Sequence, residues 1–286
     1  MDKQEQQQKL QNQVWFLTGC TSGTGLALVE ELLSLGVKVA GTSRNLKKLK
    51  ELSISRNCNF LGLQVDLVDE KSVQNSIDKT IKHFGSITHV VNNAGFGIFG
   101  SVEEVSDEES RKLFDVLYFG VVNVVRAILP YYRSRKEGYI FNVSSASGFR
   151  GVRSFGHYNA AKFAVTGMTE ALSLDVKEFN IKVSNIILGF FRTGFEDKLE
   201  QCKNPIAEYQ TMEIYLPKRN LLFKTIQLGD PYKYAQVLIE HSFLLELPCN
   251  LFIGPPASFE ICEKKVKQLD QQIQSQKERN SNVTIE

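Results

Sequence analysis

Short, nearly continuous apolar runs alternate along this chain with longer stretches whose apolar residues recur every three or four positions. Val14-Trp15-Phe16-Leu17, Val37 to Gly41, Asn59 to Val65, Ser86 to Val91, Tyr139 to Val143, Ile181 to Leu188 and Asn250 to Ile253 are runs of the first kind. Runs of that length without polar alternation suit strands buried on both faces. The stretches between them predict helices. Leu26, Val29, Leu32 and Leu33 mark one inward face, Glu70 to Phe84 forms a second helix, and Ala161, Val165, Met168, Leu172 and Val176 mark another face. Ser106-Asp107-Glu108-Glu109 is a capping box that opens a long helix. That helix is predicted to run to Leu129, because Pro130 lacks an N–H and ends or kinks it. Pro231 to Leu245 predicts a later helix. Such alternation implies an α/β fold with one parallel sheet, helices on both faces and right-handed crossovers. Ligands then belong at the carboxyl ends of the strands.

Three segments fall outside the alternation. Met1 to Gln13 is rich in glutamine and lysine and predicts a disordered tail, residues 1–13. From Thr193 to Asp230 the pattern weakens, with Pro205 and Pro217 interrupting it. Residues 193–230 are expected to form a lid over a ligand site or a plain surface excursion. The main domain spans 14–258, and 259–286 form a C-terminal helix and tail. That helix carries a narrow stripe (Cys262, Val266, Leu269, Ile273) that packs on the body or frays, being too short for a coiled coil.

Strand ends bring candidate chemistry together. Thr18-Gly19-Cys20-Thr21-Ser22-Gly23-Thr24-Gly25 lies between a strand and a helix. There, glycines let a phosphate approach the backbone and the helix N-terminus offers N–H groups. The second strand ends in Thr42-Ser43-Arg44. No acid is present to bond a ribose 2′-hydroxyl, so Arg44 either pairs with a 2′-phosphate or is a solvated residue at a helix start. Asn92-Asn93-Ala94-Gly95, Ser145 and Gly189 to Thr193 also follow strands. Tyr158 and Lys162, four apart on a helix, share a face, and a neighbouring ammonium favours the phenolate. Alone, that pair is better read as an idle helix surface. The convergence of the strand ends argues for a site. Phe96, Phe99, Phe149, Phe155, Phe190 and Phe191 either surround an apolar substrate mouth or are ordinary core.

Composition narrows the classes. The 286 residues are 42% hydrophobic and 23% charged, with net charge +2, which argues against a nucleic-acid partner. Five scattered cysteines suggest neither disulfides nor a metal site, and a reducing, cytoplasmic location is expected. The longest apolar stretch, Val116 to Leu129, is too short to span a bilayer. No two of His83, His89, His157 and His241 have ligand spacing, so no metal is expected; His157 is placed at the surface or, less simply, near substrate. Asn142-Val143-Ser144 and Asn282-Val283-Thr284 match a glycosylation pattern by accident, the first expected to be buried.

With these motifs in place, the stretch from Val14 to about Gly254 resembles the short-chain dehydrogenase/reductase family. Thr18-Gly-x-x-x-Gly23-x-Gly25, Asn92-Asn93-Ala94-Gly95, Ser145 and Tyr158-x-x-x-Lys162 carry the resemblance. Thr42-Ser43-Arg44 and Gly189 to Phe195 look most like its NADP-using, 17β-hydroxysteroid-dehydrogenase-like branch. The resemblance implies a single Rossmann-type doubly wound sheet of about seven strands, ordered 3-2-1-4-5-6-7. It implies hydride transfer between NADP(H), in preference to NAD(H), and a carbonyl or secondary alcohol. Ser145, Tyr158 and Lys162 would be catalytic. Thr18, Gly19, Thr21, Ser22, Gly23, Thr24, Gly25, Arg44, Asp66, Asn92, Ala94, Gly95 and Thr193 would hold the cofactor, together with Tyr158 and Lys162. A homo-oligomer is implied by analogy. Leu117 stands where the family usually has asparagine, Leu188 where it has proline, and Thr24 where it has isoleucine. Leu117 motivates a second expectation, a cofactor-binding protein with little activity.

Overall fold

The computed structural model describes residues 10–196, 199–226 and 228–281. Strand β1 (Val14–Thr18) is buried at every position and lies inside a seven-stranded parallel sheet. Its flanks are β2 (Lys38–Ser43) with β3 (Phe60–Gln64) on one side, and β4 (His89–Asn92) on the other. Beyond β4 come β6 (Gly138–Val143), β7 (Ile181–Leu188) and β9 (Asn250–Ile253), giving the order β3-β2-β1-β4-β6-β7-β9. The skipped labels belong to a separate two-stranded sheet, β5 (Ile98–Phe99) with β8 (Glu200–Gln201). Among the main strands taken in chain order, this is 3-2-1-4-5-6-7, as expected.

Helices cover both faces because each strand alternates its side chains between two cores. On one face Trp15, Leu17, Val39, Val91 and Phe141 pack with Leu28 and Leu32 of α1 (Gly23–Ser34) and with Leu238 of α8 (Pro231–His241). On the other, Phe16, Ala40, Val90 and Ile140 meet three helices. These are α3 (Glu70–Phe84), α5 (Gly120–Arg135) and α6 (Gly156–Asp175), which contribute Val73, Val124 and Val165. The period-two burial of β-strands thus builds two cores from one run.

Several expectations are corrected. The polar tail ends in packed residues: Leu10 joins the first core, and Gln13 accepts a hydrogen bond from the buried Trp15 indole at 2.8 Å. Residues 1–9 and the Asn282-Val283-Thr284 motif lie outside the described residues. Asn142 is buried and donates to Thr169, as its place in β6 requires. The long helix opens at the Ser106/Glu109 capping box as α4 (Asp107–Phe114) and widens into a π-helical turn, Asp115–Phe119. It then continues as α5 through Pro130 to Arg135. Pro130 is exposed, so water can take the carbonyl its missing N–H leaves, while Ile128 and Tyr132 keep the buried face continuous. Within Asp107–Arg135 the most apolar 18-residue window has a mean hydropathy of 1.6, apolar enough to cross a membrane by length and composition alone, and 44% of that window is buried inside the protein. Pro217 does not break structure either: it starts α7 (Leu216–Thr225), where its fixed φ suits a first turn. The C-terminal helix α9 (Pro256–Asn280) packs through Ser258 and Cys262, whereas Val266 and Ile273 are exposed.

Candidate active site

One cavity of about 730 Å³ opens at the carboxyl ends of β1, β2, β4, β6 and β7. Its first wall is the β1–α1 turn. Gly19 and Gly23 adopt positive φ (+72° and +61°), which a side chain resists. A Cβ on Gly19 would also lie 2.7 Å from the Ala94 Cα. Helix α1 begins with no side-chain cap from Ser22 and no acid in its first turn. Its first N–H groups and positive dipole end therefore suit an anion. Arg44 and Asp66 sit farther along the same cavity, and Ser43 stands where an acid would oppose a 2′-phosphate. This donor set fits a nicotinamide dinucleotide.

Thr18 and Asn93 hold that wall. The Thr18 hydroxyl accepts from the N–H groups of Asn93 (3.0 Å) and Ala94 (3.1 Å). The Asn93 amide donates to the carbonyls of Thr18 (3.1 Å) and Gly19 (3.0 Å) and accepts from Thr24 (3.0 Å). Thr21, Ser22, Thr24, Ala94, Gly95 and Thr193 line the cavity as expected. Thr18, Gly25 and Asn92 do not. Gly25 is small because a Cβ there would lie 2.3 Å from the Gly19 carbonyl oxygen. Asn92 turns into the sheet and donates to Asn142 at 2.8 Å. Asn93 is the wall residue that the motif contained but strand alternation did not single out.

Ser145, Tyr158 and Lys162 meet at the centre of the cavity. Ser145 caps a short 3₁₀ turn, accepting from the Ser147 N–H at 3.0 Å. Helix α6 brings Tyr158 beside it and places the Lys162 ammonium 5.9 Å from the Tyr158 ring centroid. Lys162 donates to the Val143 carbonyl at 2.8 Å, and burial pulls its pKa down to about 8. Burial pushes the Tyr158 phenol up to about 12, against the Ser145 hydrogen bond and the positive charge of Arg219. The expectation that Lys162 lowers this phenol is therefore corrected: burial dominates, and the opposing cation is Arg219. Leu117, in the π turn, is 1% exposed and packs with Tyr158 and Phe155. A Cβ on Gly95 would touch both the Leu117 Cδ2 (3.1 Å) and the Lys162 ammonium (3.8 Å), so both side chains border Gly95.

The remaining wall is largely aromatic. Phe96, Phe99, Phe155, Phe190 and Phe191 line the cavity, joined by Phe195 and Tyr215. Phe149 does not; it packs edge-on against Phe252 at 5.4 Å. His157 is bound to Ser110 (2.8 Å) and the Val102 carbonyl (3.1 Å), away from any substrate. Arg153, Lys218 and Arg219 also line this end. Nothing periodic marked them, since their segments are too irregular for a face to be assigned. Among the described residues no cluster suits a metal ion, and all five cysteines are unpaired.

Comparison with known proteins agrees with this geometry. The model of the short chain dehydrogenase family matches residues 13–204. A 3-ketodihydrosphingosine reductase from Bacteroides thetaiotaomicron is 38% identical over 66% of this chain and 67% of its own. Human retinol dehydrogenase 8 is 33% identical over 78% of this chain and 76% of its own. The crystal structure of a short-chain dehydrogenase from Streptomyces avermitilis superposes with a TM-score of 0.85 at 26% identity, covering 95% of this chain and 98% of that one. A Rossmann sheet, a glycine-rich turn at its carboxyl edge and a matched family model over most of the length make this chain an oxidoreductase of the short-chain dehydrogenase family, on a fold that binds nicotinamide dinucleotides.

Proposed function

We propose that this protein transfers a hydride between NADP(H) and an apolar carbonyl or secondary alcohol, and that it belongs to the NADP-using, 17β-hydroxysteroid-dehydrogenase-like branch. The observation that carries the reading is the meeting of Ser145, Tyr158 and Lys162 in the same cavity as the uncapped N-terminus of α1. The bound nicotinamide supplies or accepts the hydride. Ser145 Oγ holds the substrate oxygen, and Tyr158 gives it a proton or takes one. Lys162, fixed by the Val143 carbonyl, orients the ribose. Arg44 selects the 2′-phosphate, with no acid at position 43 to oppose it. The aromatic wall favours a lipid, steroid or retinoid-like body, in keeping with what the names of the two curated relatives say those proteins act on.

Residues 193–230 act as the lid, 259–286 as an appended helix, and the reducing cytoplasm as the setting that suits five free cysteines. Exposed Phe119, Phe163 and Leu174 favour pairing of two copies through α5 and α6. NADPH binding followed by fluorescence, then cofactor oxidation against a panel of ketones and aldehydes, tests the main reading. Leu117 supports a second one, a cofactor-binding protein with little turnover. Tight NADPH binding with no oxidation across the panel would establish that second reading instead.

A further inference from the structure

The substrate end of the cavity is aromatic, yet it is also strongly cationic. The Arg153 guanidinium carbon lies 3.7 Å from the Tyr215 ring centroid, and the Lys218 ammonium lies 5.8 Å from the same ring. The Arg219 guanidinium carbon is 4.5 Å from the Phe223 centroid and 5.3 Å from that of Phe155. Stacking on ring faces holds a guanidinium flat and leaves its N–H edges to donate; one Arg219 N–H reaches the Asn220 amide oxygen at 3.3 Å, and the others remain for a ligand. Among the described residues lining this end, the one carboxylate is Glu196, whose charge acts on Arg219. No ion pair among the described residues within 4.0 Å includes Arg153, Lys218 or Arg219. Arg219 also lies near enough to Tyr158 for its charge to favour the phenolate. Arg153 and Lys218 are exposed at the mouth of the cavity and Arg219 is half-buried, so an anion held there would sit at the mouth, within reach of the reacting carbonyl's end of the channel.

An apolar substrate alone gives no reason for this arrangement. Covering the half-buried Arg219 with a neutral body costs desolvation that such a body does not repay. An acidic group on the substrate would offset that cost. Planar, bidentate recognition of a carboxylate or phosphate is what a stacked arginine supplies and what a neutral hydroxyl cannot repay.

We propose that the substrate is an amphiphile whose apolar body lies along Phe96, Phe99 and Phe195 and whose acidic group, a carboxylate or a phosphate ester, is gripped by Arg153, Lys218 and Arg219. This rests on the reductase reading above. In the reducing direction the carbonyl carbon gains the hydride from the reduced nicotinamide, its oxygen gains the proton of Tyr158, and the acidic group is unchanged.

Calorimetric titration of the NADPH-bound full chain with decanoate, decyl phosphate and decanol tests the grip without requiring turnover. At least one of the two anions is expected to bind about tenfold tighter than decanol, and the tighter one identifies the acidic group. Arg153→Gln and Arg219→Gln are each expected to remove most of that preference, with melting curves recorded on both to show that the fold persists. Should either variant melt early, Lys218→Gln on the exposed face of α7 serves in its place. A second arm compares long-chain oxo-acids with their methyl esters: kcat/KM for acid over ester is expected to exceed about tenfold and to fall in the glutamine variants. Equal affinity for decanol and both anions, or a preference that survives in folded glutamine variants, overturns the proposal. Reduction of neutral ketones without anion preference would sink it and leave the reductase reading standing. Anion preference without any turnover would do the reverse.

Discussion

The cofactor wall and the lid wall of one cavity are held together differently. On the first, Thr18, Thr24 and Asn93 tie the β1 and β4 loops by five hydrogen bonds between 3.0 and 3.1 Å, and glycines bring backbone against backbone. On the second, long side chains stack on rings, and the polar anchors lie at its base. Glu104, 1% exposed, accepts from the N–H groups of Ser101 (2.7 Å) and Ile206 (2.9 Å) and from the Thr211 hydroxyl (2.7 Å). Glu109 accepts from the Lys203 N–H at 3.1 Å, and β8 pairs with β5. Short backbone-backed contacts make a wall that one ligand shape fits. Stacked flexible side chains at an anchored hinge make a wall that can adapt to a substrate and exclude water.

The largest effect is expected where the walls meet. Tyr158→Phe keeps the ring packing and removes the proton carrier, so turnover should fall by roughly 10²–10⁴ with NADPH affinity retained. Steady-state kinetics beside a cofactor titration check this, and wild-type turnover would remove Tyr158 from the chemistry. Gly19→Val attacks the cofactor wall alone. Its positive φ costs roughly 1–2 kcal/mol for any side chain, and the contact with Ala94 adds to that. Both the melting temperature and NADPH affinity are expected to drop; retention of both would show that this wall is softer than its hydrogen bonds suggest.

Arg44→Ala is narrower. NADPH binding should weaken by roughly 1.5–3 kcal/mol and NADH binding should stay, since only one cofactor carries the 2′-phosphate. Equal losses for the two would separate Arg44 from cofactor choice. On the lid side, burial works against the Glu104 charge, but its hydrogen bonds outweigh that and hold the carboxyl below the usual glutamate range. A depressed folded pKa contributes stability that is present above the unfolded value and is lost as pH falls through the folded one. Glu104→Gln turns one acceptor into a donor against an N–H, so it should cost roughly 1–3 kcal/mol and flatten the acid limb of the melting profile. An unchanged acid limb would show that Glu104 does not anchor the lid.

Leu117→Asn is expected to act least on the fold and most on a rate. Burial draws Lys162 down to about 8, and Leu117 is part of the same buried cluster as Tyr158. Below that value the buried cation costs stability, and the cost fades as pH rises toward the unfolded lysine value. An amide at 117 should raise the Lys162 pKa and increase kcat by easing proton return to Tyr158, with NADPH affinity little changed. The kcat profile and its solvent isotope effect read this directly. A folded variant with both unchanged would free Leu117 of any part in limiting turnover, and an unpaired amide would appear instead as a loss of roughly 1–3 kcal/mol.

The amino-acid sequence by itself determined the strands of the sheet and the motifs that stand at their carboxyl ends, and the strand order came with the family resemblance. Two-sided burial writes strands as apolar runs, and a glycine-rich turn or a Tyr-x-x-x-Lys helix places its chemistry within a few residues, where local geometry is fixed. Local rules were less reliable where tertiary surroundings overrode them. Pro130 passes through α5 because it lies on the exposed face, Leu10 leaves the polar tail because a core lies within reach, and Asn92 leaves the cavity wall to Asn93 because the pleat turns it inward. The cationic wall was decided by tertiary structure alone. Arg153, Lys218 and Arg219 are separated by up to 66 residues in the sequence, their segments have no period, and their meeting depends on where α7 and Tyr215 pack over the cavity. A side chain's charge is legible from its letter, but the field it makes depends on which rings and which cavity it faces, and that is a property of packing.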